Sequence, residues 1–135
     1  MIYVETSVVL AQLLAEDRCP PESLWAGTPV SSRLTEYEVW TRVHARGLGA
    51  SHGESVRLLL GRLGWLELTP VVLARALEPW PVALRTLDAL HLASAEAEAV
   101  EYLCTCDDRL LSRAKIQSDF ATKVVSPFEL AQEVL

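Results

Sequence analysis

Lysine is nearly missing from this 135-residue chain: Lys115 and Lys123 stand alone, and arginine supplies the rest of the 12 basic residues. Against them are 18 acids, for a formal net charge of -6. The sequence contains no basic run. These features exclude a polycation that coats nucleic acid through net charge. They leave room for an acidic pocket filled by metal ions. Cysteine is sparse too, limited to Cys19, Cys104 and Cys106. An odd count in a chain of this size argues against a disulfide framework. Cys104-Thr105-Cys106 lacks a second ligand pair at zinc spacing, so its thiols read as buried structural cysteines on one face of a strand. No G-x-G-x-x-G, P-loop, H-E-x-x-H or nucleophile elbow occurs, which removes most nucleotide-binding and hydrolase classes and predicts no nucleotide cofactor. Met1 to Leu14 is apolar, but it lacks a basic n-region and Glu5 interrupts it. The uncharged stretch Thr6 to Ala15 is too short to span a bilayer. No membrane association and a cytoplasmic location are expected.

What the chain does have is apolar mass. Hydrophobic residues make up 50% and charged residues 22%, with a mean hydropathy of +0.21. That composition predicts one folded domain over residues 1–135, with a core that needs no staples.

Short apolar runs alternate with longer helical patterns. Ile2-Tyr3-Val4 reads as a buried strand, and Thr6 or Ser7 can cap a helix through about Glu16. Cys19-Pro20-Pro21 breaks that helix. Pro21 to Ala26 reads as a short helix and Thr28 to Ser31 as a strand. Ser31 or Ser32 can cap a helix from Arg33 to about Ala45, stopped by Gly47 or Gly49. Ser51 to Leu63 is helical and Trp65 to Leu68 is a strand. Pro70 opens a helix that Pro79 and Pro81 close. Leu87 to Val100, rich in Ala and Leu, is the best helix. Tyr102 to Cys106 is a strand, Asp108 to Lys115 a helix, and Lys123 to Val125 a strand. Ser126-Pro127 starts a last helix. Strands alternating with helices predict an α/β fold, a mainly parallel sheet covered on both faces.

Ligands in such sheets gather at the carboxyl ends of the strands. Glu5 follows the first strand and Asp107 follows Tyr102 to Cys106, so neighbouring strands would bring the two carboxylates together. Either could instead be an ordinary helix cap. Asp88 shares a helix face with His91, Leu92, Ala95 and Ala99, where a charge needs a partner or a metal unless it only stabilises a first turn capped by Thr86. Glu36 and Glu38 point about 200° apart on their helix, so one at most faces the pocket. The helical wheel does not choose between them. His91 is a ligand, a proton shuttle or a hydrogen-bonding support one turn from Asp88. His44 and His52 read as surface residues.

Four segments carry a resemblance: Met1 to Leu10, Ser32 to Trp40, Leu84-Arg-Thr-Leu-Asp-Ala-Leu-His-Leu-Ala93, and Thr105 to Leu110. In this order and spacing the sequence resembles the PIN-domain family, and within it the VapC-like toxins of toxin–antitoxin pairs. The resemblance covers essentially the whole chain. It implies a three-layer α/β/α sandwich and an endoribonuclease that uses Mg2+ or Mn2+. It implies four acids: Glu5, Glu38, Asp88 and Asp107, with Asp108 as understudy to the last. Glu5, Asp88 and Asp107 would be the metal ligands. The hydroxyl after the first acid falls on Ser7. RNA as substrate, a cognate antitoxin, a homodimer, and products with a 5′-phosphate and a 3′-hydroxyl are implied as well. Arg42, Arg46, Arg85 and Arg109 are the candidate RNA contacts. Leu24, Trp25 and Trp40 are either core or a groove for an antitoxin helix.

One departure stands out. The family normally begins with Asp where this chain has Glu5. The added methylene displaces the carboxylate by about 1.5 Å, and a misplacement of about 1 Å can cost on the order of 100-fold in rate. The departure predicts either weakened chemistry or an adjusted backbone. A non-catalytic PIN-like module binding RNA or protein is therefore the alternative. A receiver-type signalling domain is disfavoured, because neither lysine follows a strand as that chemistry requires.

Overall fold

The computed structural model describes residues 1–116 and 120–135. In chain order the elements are β1 (Ile2–Val4), α1 (Thr6–Leu13), α2 (Glu22–Ala26), β2 (Val30–Ser32), α3 (Arg33–Ala45), α4 (Gly49–Leu60), β3 (Gly64–Leu66), α5 (Pro70–Leu77), α6 (Thr86–Ala97), β4 (Tyr102–Cys104), α7 (Asp108–Ile116), β5 (Lys123–Val125) and α8 (Pro127–Glu133). The strands form one sheet of order β3-β2-β1-β4-β5. Every neighbouring pair is parallel.

The period of two along each strand divides the core. Val4, Cys104 and Val125 face one side, where they pack with Val8 and Val9 of α1, Leu24 and Trp25 of α2, Val39 and Val43 of α3, Val56 and Leu59 of α4, and Leu130 of α8. Tyr3, Leu103 and Val124 face the other side, against Leu92 and Ala95 of α6 and Leu110 of α7. The sheet thus lies between two helical layers, as the alternation of elements predicts. Leu24 and Trp25 are each only 2% exposed, and the Trp25 indole N–H donates to Gln12. They are core residues, so the groove reading fails for them. Cys104 is buried, Cys106 is half-buried and Cys19 is exposed.

Several boundaries fall short of the sequence reading. Helix α1 ends at Leu13 because Ala15 turns left-handed, at φ 50. Helix α6 ends at Ala97 rather than Val100 because Ala99 does the same at φ 51. Strand β2 starts at Val30, after Thr28 at φ 51. Gly47, at φ 70, ends α3, whereas Gly49 opens α4 instead of stopping α3. The cap of α1 is neither Thr6 nor Ser7: Glu5 occupies that position and its side chain accepts from the Ser7 N–H. Among the described residues no helix is long and apolar enough to cross a membrane.

Candidate active site

The strand order reverses between β1 and β4, which opens a crevice at their carboxyl ends. Glu5 leaves β1 there, its N–H bonded to the Cys104 carbonyl at 3.0 Å. Asp107 lies just past β4. Glu38 enters from the buried face of α3, and Asp88 from the first turn of α6. All four line one cavity of about 300 Å³, together with Arg42, Arg85, Thr86, Leu87 and His91. Residues 5, 38, 88 and 107 are far apart in the chain, and the parallel topology brings them together.

Three of these acids are anchored through one oxygen. Glu5 Oε1 accepts from the Ser7 N–H at 3.0 Å, from the Ser7 hydroxyl, and from Thr105 Oγ1 at 2.8 Å. Glu38 Oε1 accepts from Thr6 Oγ1 at 2.8 Å and meets His91 Nε2 at 2.8 Å. Asp107 Oδ1 caps α7 by accepting from the N–H groups of Arg109, at 2.9 Å, and Leu110, at 3.4 Å. Among the described residues the second oxygen of each accepts no protein hydrogen bond, and Asp88 accepts none at all. A carboxylate fixed through one oxygen and open at the other is pre-organised to bind a ligand.

Thr105 and Ser7 tie the first acid to the last. The Asp107 N–H donates to Thr105 Oγ1 at 3.0 Å, and the Cys106 N–H donates to Ser7 Oγ at 2.8 Å. Both hydroxyls also donate to Glu5. Sequence reasoning singled out Ser7 and missed Thr105. The available signal was a polar residue set between two cysteines two positions before an acid.

The electrostatics follow from crowding. Burial, then the nearby charges of Asp107 and Glu5, push the Asp88 carboxyl up to about 6, although His91 and Arg85 pull the other way. Glu38 shows the opposite balance. Burial is its largest influence and pushes upward, but the His91 hydrogen bond and charge, Thr6 and Arg42 together hold it below the ordinary carboxylate range. For the His91 ring burial opposes the charged form. Tyr3, the Glu38 hydrogen bond and the Glu5 charge outweigh it and raise the pKa.

Other candidates lie elsewhere. Glu36 pairs with Arg33 at 3.2 Å and lines a separate hollow with Trp40, Arg57 and Trp65. Asp108 makes a two-armed pair with Arg18, at 2.8 and 3.0 Å, beside Pro127 and Phe128. Neither reaches the cavity of the four acids. Arg18 also donates to the Cys106 carbonyl at 2.8 Å, so it grips the chain on both sides of Asp107. Arg42 and Arg85 line the cavity, whereas Arg46 and Arg109 do not. His44 is exposed against Trp40, and His52 is half-buried beside Ser51.

Among the described residues no three Asp, Glu, His or Cys side chains already stand as a closed ligand cluster. A hard cation does not require one. Mg2+ is commonly held by one or two carboxylates, with water and substrate phosphate completing an octahedron. Open carboxylate oxygens around a shared, charge-strained cavity fit that kind of ion, and the all-oxygen donor set disfavours a thiolate-seeking metal.

The architecture and chemistry match known proteins. The PIN domain family model matches residues 2–116. Ribonuclease VapC46 of Mycobacterium tuberculosis is 34% identical over 119 residues, covering 84% of this chain and 90% of the relative. Ribonuclease VapC47 of the same species is 34% identical over 122 residues, covering 83% and 88%. In fold the chain resembles the crystal structure of VapBC2 from Rickettsia felis bound to a promoter DNA fragment, with a TM-score of 0.70, 16% identity and coverage of 93% and 98%. It also resembles PAE2754 from Pyrobaculum aerophilum, with a TM-score of 0.66, 23% identity and coverage of 98% and 97%. Sheet order, the acid-lined crevice at its switch point and a match along most of the sequence agree, and this chain belongs to the PIN domain family.

Proposed function

We propose that the chain is a metal-dependent endoribonuclease, the toxin half of a toxin–antitoxin pair. The observation that carries this reading is the convergence of Glu5, Glu38, Asp88 and Asp107 on one cavity at the β1–β4 crevice. The names of the relatives support the substrate class.

Asp88, Asp107 and Glu5 would hold Mg2+ or Mn2+ through their open oxygens. Such an ion, when bound, polarises a phosphodiester and lowers the pKa of a coordinated water. Glu38, held ionised beside His91, would orient the attacking water and accept its proton through Oε2. Ser7 and Thr105 keep Glu5 in place against its extra length. Arg42 and Arg85 offset the charge of the incoming phosphate. In-line attack by water at phosphorus breaks the P–O3′ bond, the departing 3′-oxygen takes a proton from solvent water, and the products are a 5′-phosphate and a 3′-hydroxyl. A cognate antitoxin, a homodimer and action in the cytoplasm belong to the same reading.

One observation favours a second reading. Glu5 replaces the usual Asp, and its Oε1 is committed to three protein donors. In that case the chain is a PIN module with weakened chemistry that binds RNA or protein.

The test incubates folded, partner-free protein with total cellular RNA and Mg2+, Mn2+ or chelator, comparing wild type with Asp88→Ala and Glu5→Asp. Cleavage that needs metal and is lost in Asp88→Ala is the expected result. No cleavage by wild type with either metal would sink the toxin reading. Cleavage by Glu5→Asp alone would establish the weakened module.

A further inference from the structure

Glu38 is tied to a line of buried polar side chains that starts at the carboxyl end of β2. Tyr3 donates its hydroxyl proton to Ser32 Oγ at 2.9 Å. The same Tyr3 oxygen lies 2.6 Å from His91 Nδ1, and His91 Nε2 lies 2.8 Å from Glu38 Oε1. Tyr3 and Ser32 are each 0% exposed and His91 is 1% exposed, so these groups are shielded from bulk water.

Counting protons fixes their direction. A phenol has one proton, and Tyr3 gives it to Ser32. At the contact with His91 the Tyr3 oxygen therefore accepts, and Nδ1 must carry N–H. At the contact with Glu38, a bare Nε2 facing a bare carboxylate oxygen would set lone pair against lone pair inside the fold, which is costly. A proton therefore lies there as well. Thr6 also donates to Oε1, at 2.8 Å, which favours the carboxylate form of Glu38 and leaves the proton on the ring. Glu38 Oε1 is then saturated and cannot accept the proton of an attacking water. Oε2 alone can.

We propose that Tyr3 and His91 are positioning residues for Glu38: by donating to Ser32, Tyr3 obliges His91 to donate from both ring nitrogens, which pins Glu38 by Oε1 and reserves Oε2 for the reaction. The inference rests on the reading of Glu38 as a catalytic group. It adds two buried residues that act through Glu38, and it places a doubly protonated ring in the pocket wall.

The test has two arms. In the first, protein labelled with 15N at histidine is followed by NMR near neutral pH without metal. Wild-type His91 is expected to show N–H on both ring nitrogens. In Tyr3→Phe, which keeps the ring and its packing, Nδ1 loses its acceptor and the ring becomes neutral with the proton on Nε2. Ser32→Ala frees the Tyr3 proton for Nδ1 and must give the same neutral spectrum, which guards against a folding defect peculiar to either variant. A neutral His91 in wild type, or spectra unchanged in both variants, would overturn the proposal.

In the second arm, Tyr3→Phe is expected to lower kcat for RNA cleavage by about tenfold, the lower end for residues that orient a functional group, with KM within about twofold. Placed in a Glu38→Gln background it should cost nothing further, because it acts only through Glu38. Additive losses in the double variant would refute it. If wild type cuts no RNA, the ribonuclease reading falls, and the spectra still decide whether the relay exists.

Discussion

Asp88 is the acid whose surroundings least favour its charge. With its carboxyl pushed up to about 6, the folded chain holds this proton more tightly than the unfolded chain does. The stability it contributes is full below the ordinary carboxylate range and is lost as pH rises through about 6. Asp88→Asn removes that loss. Without metal at neutral pH the variant is expected to melt several degrees above wild type, with the gap closing at acid pH. Added Mg2+ should raise the melting temperature of wild type and not of the variant, since binding to the folded state alone stabilises it. Calorimetry over a pH series measures both effects. Thr105 makes a related point about a hydroxyl. Its side chain is 0% exposed and serves Glu5 and the Asp107 N–H together. The longer first acid therefore comes with an anchor that was not evident from residue types alone.

At the scale of elements, the sequence was most readable where periodicity and special residues coincide. Helix α3 matched from Arg33 to Ala45, and Ser126-Pro127 did start α8, with a full capping box to Glu129. It was least readable where an ordinary residue adopts a left-handed turn. Ala15 and Ala99 end α1 and α6 in the conformation usually left to glycine, each followed by an N–H that reaches back five residues, Glu16 to Ala11 at 2.9 Å and Val100 to Ala95 at 3.0 Å. Nothing in an alanine announces that. The same turn at Gly47, with Leu48 reaching Val43 at 2.9 Å, was anticipated because the residue is glycine. Ala99→Gly should relieve the strained backbone and stabilise the chain by about 1 kcal/mol, since the left-handed penalty for a side chain, roughly 1–2 kcal/mol, exceeds the added entropy of glycine. Urea unfolding reads the change. The choice between Glu36 and Glu38 was unreadable for another reason. Helix α3 carries charge around most of its circumference, and the buried face of Leu34, Thr35, Glu38 and Val39 includes two polar residues. Only the resemblance pointed to Glu38.

For the molecule as a whole, the two sides of the sheet are unequal. The side covered by α1, α2, α3, α4 and α8 holds most of the core, whereas the other rests on Tyr3, Leu92, Ala95, Val100, Leu103 and Leu110. The His91 relay belongs to this thinner side. Leu103, 0% exposed at its centre, is expected to cost about 2–5 kcal/mol when truncated to Ala, a large share of the roughly 5–15 kcal/mol that holds a typical domain together. Denaturant midpoints test this, and cleavage per folded molecule at low temperature should persist. The layers and the parallel sheet were legible from alternating patterns. The strand order was not, because the β1–β4 pairing that builds the acid pocket joins distant parts of the chain.

That pairing has a consequence for how the protein is made. Glu5 leaves the ribosome 100 positions before Thr105, whose hydroxyl holds it, and Asp107 comes later still. Synthesis runs from the amino end, and a domain generally folds as a unit. Until β4 has been made, the growing chain therefore lacks both Asp107 and the strand that sets it beside Glu5. It has no assembled pocket to turn on the messenger that encodes it. The arming of the site waits for the fourth strand to slot in beside the first.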